Sequence, residues 1–150
     1  MKVLKLLPAL FLSACASTQY IEPSTAPYAN ISFKNSSPFE SGISIFKEHE
    51  TCKGQLAAVP SLLPGKTTTI KINASQPLSL GFGVSYGYDY CFIPATFKPE
   101  ENKNYIAVIT SSSTGCGVLL LESENGKEKE IEWEKRERVT PFSASSSFCK

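Results

Sequence analysis

The sequence predicts an all-β domain, an antiparallel β-sandwich of immunoglobulin-like or transthyretin-like character, with a small β-barrel as the alternative. Three observations point to this class. Apolar and polar residues alternate over short stretches, turn residues separate these stretches at intervals of about eight to twelve residues, and no stretch has a convincing helical periodicity. With 150 residues, of which 41% are hydrophobic, the chain has the size and composition of one packed domain.

Eight stretches are predicted to be strands. Five of them have the period-two alternation of half-buried strands, and the other three, residues 90–97, 105–110 and 118–122, are rich in β-branched and aromatic residues. Ile31 and Phe33 are an early example, since both are flanked by polar residues. The last stretch is rich in Glu and Lys, which suits an edge strand that resists aggregation. The predicted strands are residues 30–35, 41–47, 67–73, 78–84, 90–97, 105–110, 118–122 and 128–134.

Turn residues lie between these strands. The strongest local signal is Asn125-Gly126, because this pair favours the two-residue turn of a β-hairpin. We therefore expect the last two strands to form a hairpin around it.

The first fifteen residues have the order of a secretory signal. Lys2 and Lys5 precede an apolar run, residues 6–12, which ends at Ser13, Ala14 and Cys15. The apolar run is too short for a helix that crosses roughly 30 Å of hydrocarbon.

The four residues Leu12-Ser13-Ala14-Cys15 resemble the lipobox of bacterial lipoproteins. The resemblance implies that residues 1–14 are removed as a signal peptide and that Cys15 carries the acyl chains of a membrane anchor. Ala16 stands where an aspartate would favour the inner membrane of enteric-type bacteria. The resemblance therefore implies an outer-membrane lipoprotein whose domain faces the periplasm, with exposure at the cell surface as an alternative.

The resemblance also divides the chain. Residues 15–28 follow the signal as a lipidated cysteine and a flexible tether, which is polar and contains Pro23 and Pro27. Residues 29–150 form the single β domain. A loose likeness to some small lipoproteins of Gram-negative envelopes extends from Cys91 through Tyr105 to Cys116, and it supports a sandwich without implying an activity.

Four cysteines remain once Cys15 is assigned to lipid, and an even number in an exported protein indicates disulfides. Three pairings are open. We favour Cys52–Cys91 with Cys116–Cys149, because each closes a loop of thirty to forty residues without crossing the other. No C-x-x-C pair is present and the single histidine, His49, has no partner ligand nearby, so we expect no metal.

Charge argues against several functions. The whole chain has 15 basic and 14 acidic residues, and loss of Lys2 and Lys5 with the signal leaves a net charge of −1. This excludes the basic field of a nucleic-acid-binding protein and assigns membrane attachment to the lipid.

No catalytic site or cofactor is predicted. Residues 83–87 match the G-x-S-x-G motif of α/β-hydrolases around Ser85, but no helix follows, and His49 lies upstream rather than downstream. We therefore expect a protein that is not an enzyme.

The aromatic residues Tyr86, Tyr88, Tyr90 and Phe92 alternate along the chain. In one extended strand all four rings would point to the same face. Tyrosines offer large contact areas at low entropic cost, so Tyr86, Tyr88 and Tyr90 form a candidate binding surface, although packing in the core or a loop is the more ordinary role.

These features favour a membrane-anchored, non-enzymatic envelope protein that acts as an interaction or structural module with a protein partner. Two alternatives stay open. The first is a glycan or small-ligand binder that uses the tyrosines, and the second is an inhibitor of a cell-wall-degrading enzyme.

Overall fold

The computed structural model describes residues 18–143 and 145–150, in which ten β-strands account for the regular structure. Residues 1–14 and Cys15, to which the signal peptide and the lipid were assigned, lie outside the described residues. The strands are β1 (Tyr28–Asn35), β2 (Ser41–Glu48), β3 (Lys53–Leu62), β4 (Thr67–Asn73), β5 (Leu78–Tyr86), β6 (Asp89–Phe97), β7 (Asn104–Ser112), β8 (Gly115–Glu124), β9 (Lys127–Glu130) and β10 (Glu134–Lys135).

The strands form two five-stranded sheets. Sheet one has the order β4-β1-β7-β8-β9, and sheet two has the order β10-β6-β5-β2-β3. All neighbouring strands are antiparallel except β1 and β7, which are parallel. The two sheets pack face to face and neither closes on itself, so the prediction of a β-sandwich is confirmed and the barrel alternative is wrong.

The core lies between the two sheets. Alternation along β1 buries Ala29, Ile31 and Phe33 completely. Phe33 meets Phe82 of β5 edge to face, with 6.1 Å between ring centroids, and so joins the two sheets. The strict alternation seen in the sequence is therefore the alternation between core and solvent.

Strand β3 was not predicted. Its sequence, KGQLAAVPSL, contains a proline and two adjacent alanines and has no clean alternation. The strand lies at the edge of sheet two, where a proline costs no ladder hydrogen bond. Its pairing with β2 also shifts register near Ile43, so its inward and outward positions do not follow a simple period.

The predicted strand 128–134 is wrong as a single element. Asn125-Gly126 does form the expected hairpin turn, with φ values of 50° and 75°, and β9 pairs with β8 as a fully exposed edge of Lys and Glu residues. After Glu130 the chain leaves sheet one and joins sheet two as β10. Ile131 and Trp133 lie in this connection between the two sheets and are half-buried against the core.

The four cysteines form two disulfides, but the favoured pairing is wrong. Cys52 pairs with Cys149 and Cys91 pairs with Cys116. The second bond links β6 of sheet two to β8 of sheet one, whereas the first fastens the end of the chain to the β2–β3 turn. The entropy cost of closing a loop depends only weakly on its length, so loop length does not determine which cysteines pair. The pairing follows from which cysteines the strands bring close together.

The C-terminal segment, residues 136–143 and 145–150, folds back over the outer face of sheet two. Arg138 pairs with Cys149 in an antiparallel bridge, and the amide of Arg136 donates to the carbonyl of Pro94 on β6. Phe148 then packs against Phe46 and Phe92, with ring centroids 5.4 and 6.2 Å away. These three phenylalanines form an aromatic cluster outside the main core.

Part of the predicted tether lies against the sandwich. Gln19 pairs in parallel with Ala57 of β3, and the amide of Tyr20 donates to the carbonyl of Ala57 at 2.9 Å. The Tyr20 ring packs on the core. We call residues 18–22 the N-terminal segment.

Within residues 18–143 and 145–150, no helix is long enough and apolar enough to span a membrane.

Candidate functional site

Where strands β2 and β5 of sheet two pair, the residues on their outer face are small. Gly42 of β2 lies opposite Gly83 of β5, and Ser44 lies opposite Gly81. Their neighbours along the strands, such as Ile43 and Phe82, point inward and are buried. This alternation leaves a shallow floor of glycine and serine on the solvent side.

Aromatic rings from β6 lie over part of this floor. Phe92 pairs with Gly83 and Tyr90 pairs with Ser85, and both rings lean along the sheet. A Cβ atom on Gly81 would lie 2.5 Å from Cζ of Phe92, and one on Gly83 would lie 3.0 Å from Cζ of Tyr90. Glycine is therefore required at both positions because the rings occupy the space of a side chain.

The part of the floor that the rings leave open is a groove of about 430 Å³. We call it the outer-face groove. Tyr90 and Phe92 line one side, and Ala57 and Pro60 of β3 line the other. Further lining residues are Glu40, Ser41, Gly42, Ile43, Ser44, Val59, Gly83 and Ser85.

Tyr90 is the most exposed ring of the groove, with 52% of its surface accessible. It stacks on Phe92 at 6.2 Å between centroids, and the Arg138 guanidinium lies 5.7 Å from the Tyr90 centroid and 5.8 Å from that of Phe92. Partial burial raises the pKa of the Tyr90 hydroxyl, and Arg138 opposes this rise. The hydroxyl therefore stays protonated at neutral pH and can donate a hydrogen bond.

The three candidate tyrosines do not share a face, so that prediction is wrong. Gly87, with φ of 65°, and Tyr88 form a two-residue turn that separates β5 from β6. Tyr86 points inward and packs on Phe39, Tyr88 is fully exposed at the turn, and Tyr90 faces outward. Only Tyr90 lines the groove.

Ser85 lies at the open end of the groove, and its amide donates to the carbonyl of Glu40. The chain continues from it into the turn and β6. His49 is at the other end of β5, where its carbonyl accepts a hydrogen bond of 2.7 Å from Ser79. The motif around Ser85 thus has a structural explanation, since its first glycine accommodates Tyr90 and its last begins a turn.

No group of three or more His, Cys, Asp or Glu side chains that could hold a metal ion occurs in residues 18–143 and 145–150. What the groove offers is contact area and a few polar groups. These are the hydroxyls of Ser85 and Tyr90, the carboxylate of Glu40 and the guanidinium of Arg138, while Ser44 already accepts a hydrogen bond from Gln55.

Sequence reasoning named Tyr90 but missed Gly42, Glu40 and Arg138. One signal was available: Gly81, Gly83 and Ser85 alternate as small residues shortly before Tyr90 and Phe92 alternate as large ones. In a hairpin centred on Gly87, these two sets face each other.

We expect Gly81→Ala to lower the free energy of unfolding by about 1–3 kcal/mol, because the new methyl group displaces the Phe92 ring. Gly115→Ala is the matched control, since a Cβ there meets no atom within 4 Å. Its expected change is within about 0.5 kcal/mol. Urea unfolding with the disulfides intact measures both, and equal effects would show that the ring does not depend on the glycine.

No family model matches the chain, and no curated protein matches it. Among solved structures, a pneumolysin structure matches with a TM-score of 0.45 and 11% sequence identity. The match covers 67% of this chain and 24% of the pneumolysin chain, so this chain spans about a quarter of that protein's length. A likeness of this extent implies neither a shared activity nor a shared partner.

Proposed function

We propose that the protein is a non-enzymatic lipoprotein of the Gram-negative envelope, anchored in the outer membrane through Cys15, and that its sandwich binds an envelope protein through the outer-face groove. The lipobox-like sequence supports the anchor. The two disulfides support an oxidising compartment outside the cytoplasm.

The observation that carries the binding role is the position of Tyr90 and Arg138 beside the groove. Tyrosine and arginine are the residues that most often dominate the energy of protein interfaces, and here they are stacked against each other and held in place by Phe92. The part of the floor that the rings leave open, at Gly42 and Ser44, lets a partner's backbone or side chain approach the sheet closely. A glycan would stack on the same Tyr90 ring. The experiment must therefore distinguish binding of a protein from binding of a sugar.

Photocrosslinking in intact cells tests the binding role. A photoreactive residue in place of Ser85, which is exposed in the groove, should capture one discrete protein. The same residue in place of Thr110, exposed on the outer face of the central strand β7 of sheet one, is the matched control and should capture none. Adding Tyr90→Ala to the Ser85 probe should abolish the product.

The outcomes are distinct. Equal capture at Ser85 and Thr110 would contradict a binding role for the groove. Absence of any protein product, together with saturable binding of a cell-wall sugar that Tyr90→Ala removes, would favour the glycan alternative.

The anchor has its own test. Mass spectrometry of the mature protein should find acyl chains on Cys15 and no free thiol, and Cys15→Ser should release the protein from the membrane fraction. A free Cys15 in a membrane-bound mature protein would contradict the anchor.

A further inference from the structure

The N-terminal segment shortens the connection between the lipid and the domain. If residues 15–28 were free, thirteen peptide units would allow the domain to move up to about 45 Å from Cys15. The segment is instead hydrogen-bonded to the sandwich from Thr18 onward, because the amide of Ala57 donates to the Thr18 carbonyl at 2.9 Å. Three peptide units then remain, which span at most about 11 Å.

Several contacts hold the segment in place. Beyond its backbone pairing with β3, the Tyr20 hydroxyl donates to the carbonyl of Lys71 on β4, and the carboxylate of Glu22 accepts from the amide of Lys71 at 2.9 Å. Burial raises the pKa of Tyr20 to about 12, so the hydroxyl keeps its proton throughout the physiological range. The segment therefore bridges the edge strands of both sheets.

We propose that the edge of the sandwich formed by β3 and β4 lies against the lipid headgroups of the membrane, while the edge formed by β9 and β10 points away from it. This inference rests on the proposed acylation of Cys15. Strands β3 and β4 contact each other at one side of the sandwich, and the strand orders place β9 and β10 at the other. The connection of about 11 Å from Cys15 ends at Thr18, which is hydrogen-bonded to Ala57 of β3. It therefore brings the β3/β4 edge of the sandwich to the membrane.

The charge distribution fits this orientation. Residues 53–73 contain Lys53, Lys66 and Lys71 and no acidic residue, and with Glu22 the β3/β4 edge has a net charge of +2. Residues 122–137, around β9 and β10, contain seven glutamates and four basic residues, a net charge of −3. Glu48 faces Lys53 across the β2–β3 pair, so Lys66 and Lys71 carry most of the attraction to anionic headgroups.

The outer-face groove stays accessible in this orientation. Its Ala57 and Pro60 wall is on β3, the strand nearest the headgroups, but the opposite wall, Tyr90 and Phe92, is on β6, three strands and about 14 Å farther from the membrane. The groove thus opens sideways on the outer face of sheet two, and a partner in the periplasm can reach Tyr90 from the side away from the membrane.

Lysine labelling on vesicles tests the proposal. The lipidated protein is bound to vesicles of zwitterionic lipid with about a quarter of anionic phospholipid. It is then treated with a membrane-impermeant amine reagent, and each lysine is quantified by mass spectrometry. Relative to the Cys15→Ser chain in solution, Lys66 and Lys71 should react several-fold more slowly, and Lys127 and Lys129 should be unchanged.

Two variants test the short connection itself. Tyr20→Asp should detach the segment and remove the protection of Lys66 and Lys71, whereas Ile21→Asp, at a neighbouring side chain that is 86% exposed, should leave the protection intact. A six-residue Gly/Ser insertion after Ala16 should also remove the protection without altering any described residue, which covers the case in which Tyr20→Asp unfolds the domain.

Flotation of the vesicles separates this proposal from the anchor. Protein that floats with Lys66, Lys71, Lys127 and Lys129 all labelled as in solution would overturn the edge orientation and leave the anchor intact. Protein that does not float would overturn both.

Discussion

The substitution Asn35→Asp is expected to lower the free energy of unfolding by about 3–5 kcal/mol. The Asn35 side chain is fully buried, and its amide donates to the carbonyls of Phe39 at 2.8 Å and Leu62 at 2.7 Å. Its oxygen accepts from the amide of Ser37. A carboxylate keeps this last bond but replaces the NH2 group, which makes both donations, with a charged oxygen that faces the two carbonyl oxygens.

The matched control is Asn30→Asp, the same change on the same strand. Asn30 is partly exposed, and its partner is the side-chain oxygen of Asn104, whose amide can rotate and donate instead. We expect a loss below about 1 kcal/mol there. Urea unfolding at pH 7 measures both variants, and similar losses would contradict the role of Asn35.

The Asn35→Asp variant should also respond to pH. Burial beside two carbonyls raises the pKa of the new carboxyl above its unfolded value of about 3.9. The folded state therefore holds its proton more tightly, and the stability of the variant should fall as the pH rises above about 4 and recover on acidification. A stability difference from the parent chain that stays constant between pH 4 and 7 would contradict this.

Removal of the Cys52–Cys149 disulfide is expected to have the other large effect. The bond closes a loop with a sequence separation of 97, for which chain entropy predicts a contribution of about 4.7 kcal/mol. The Cys91–Cys116 bond closes a separation of 25, for which the same relation predicts about 3.5 kcal/mol. The double variant Cys52→Ala/Cys149→Ala should thus lose about 1 kcal/mol more stability than Cys91→Ala/Cys116→Ala.

The two disulfide variants should also differ in which part of the chain opens locally. The first bond fastens the C-terminal segment over the aromatic cluster, so its loss should speed amide exchange at Val139 and Phe148, whose backbones pair. The second variant keeps this segment fastened and serves as the control. Equal exchange at these amides in both variants would show that packing of Phe148 suffices to hold the segment.

The order of apolar and polar residues was enough to predict seven strands, the two-layer class and the hairpin at Asn125-Gly126. These features are local, because strand alternation and turn conformation are decided by neighbouring residues. Strand β3 escaped prediction because a proline and a register shift at a sheet edge erase the alternation. The passage of the chain from sheet one to sheet two at Ile131 and Trp133 was not predicted, because apolar and polar residues alternate in the same way whichever sheet a strand joins.

Part of the candidate site could likewise be predicted from the sequence, and part could not. Tyr90 was identifiable as one of an alternating run of aromatic residues, but its separation from Tyr86 depended on the turn at Gly87. The requirement for Gly81 and Gly83 became clear only when β5 and β6 were paired, since the rings that need the space come from the partner strand.

The amino-acid sequence alone determined that the domain is all-β, that its cysteines beyond Cys15 suit disulfides, and that its net charge is near zero, since each follows from composition or short-range periodicity. The tertiary structure alone decided which cysteines pair, which tyrosine faces the groove, and how the near-zero charge separates into a basic β3/β4 edge and an acidic edge opposite. The physical reason is distance: each of these properties depends on residues that strand pairing brings together from far apart in the chain.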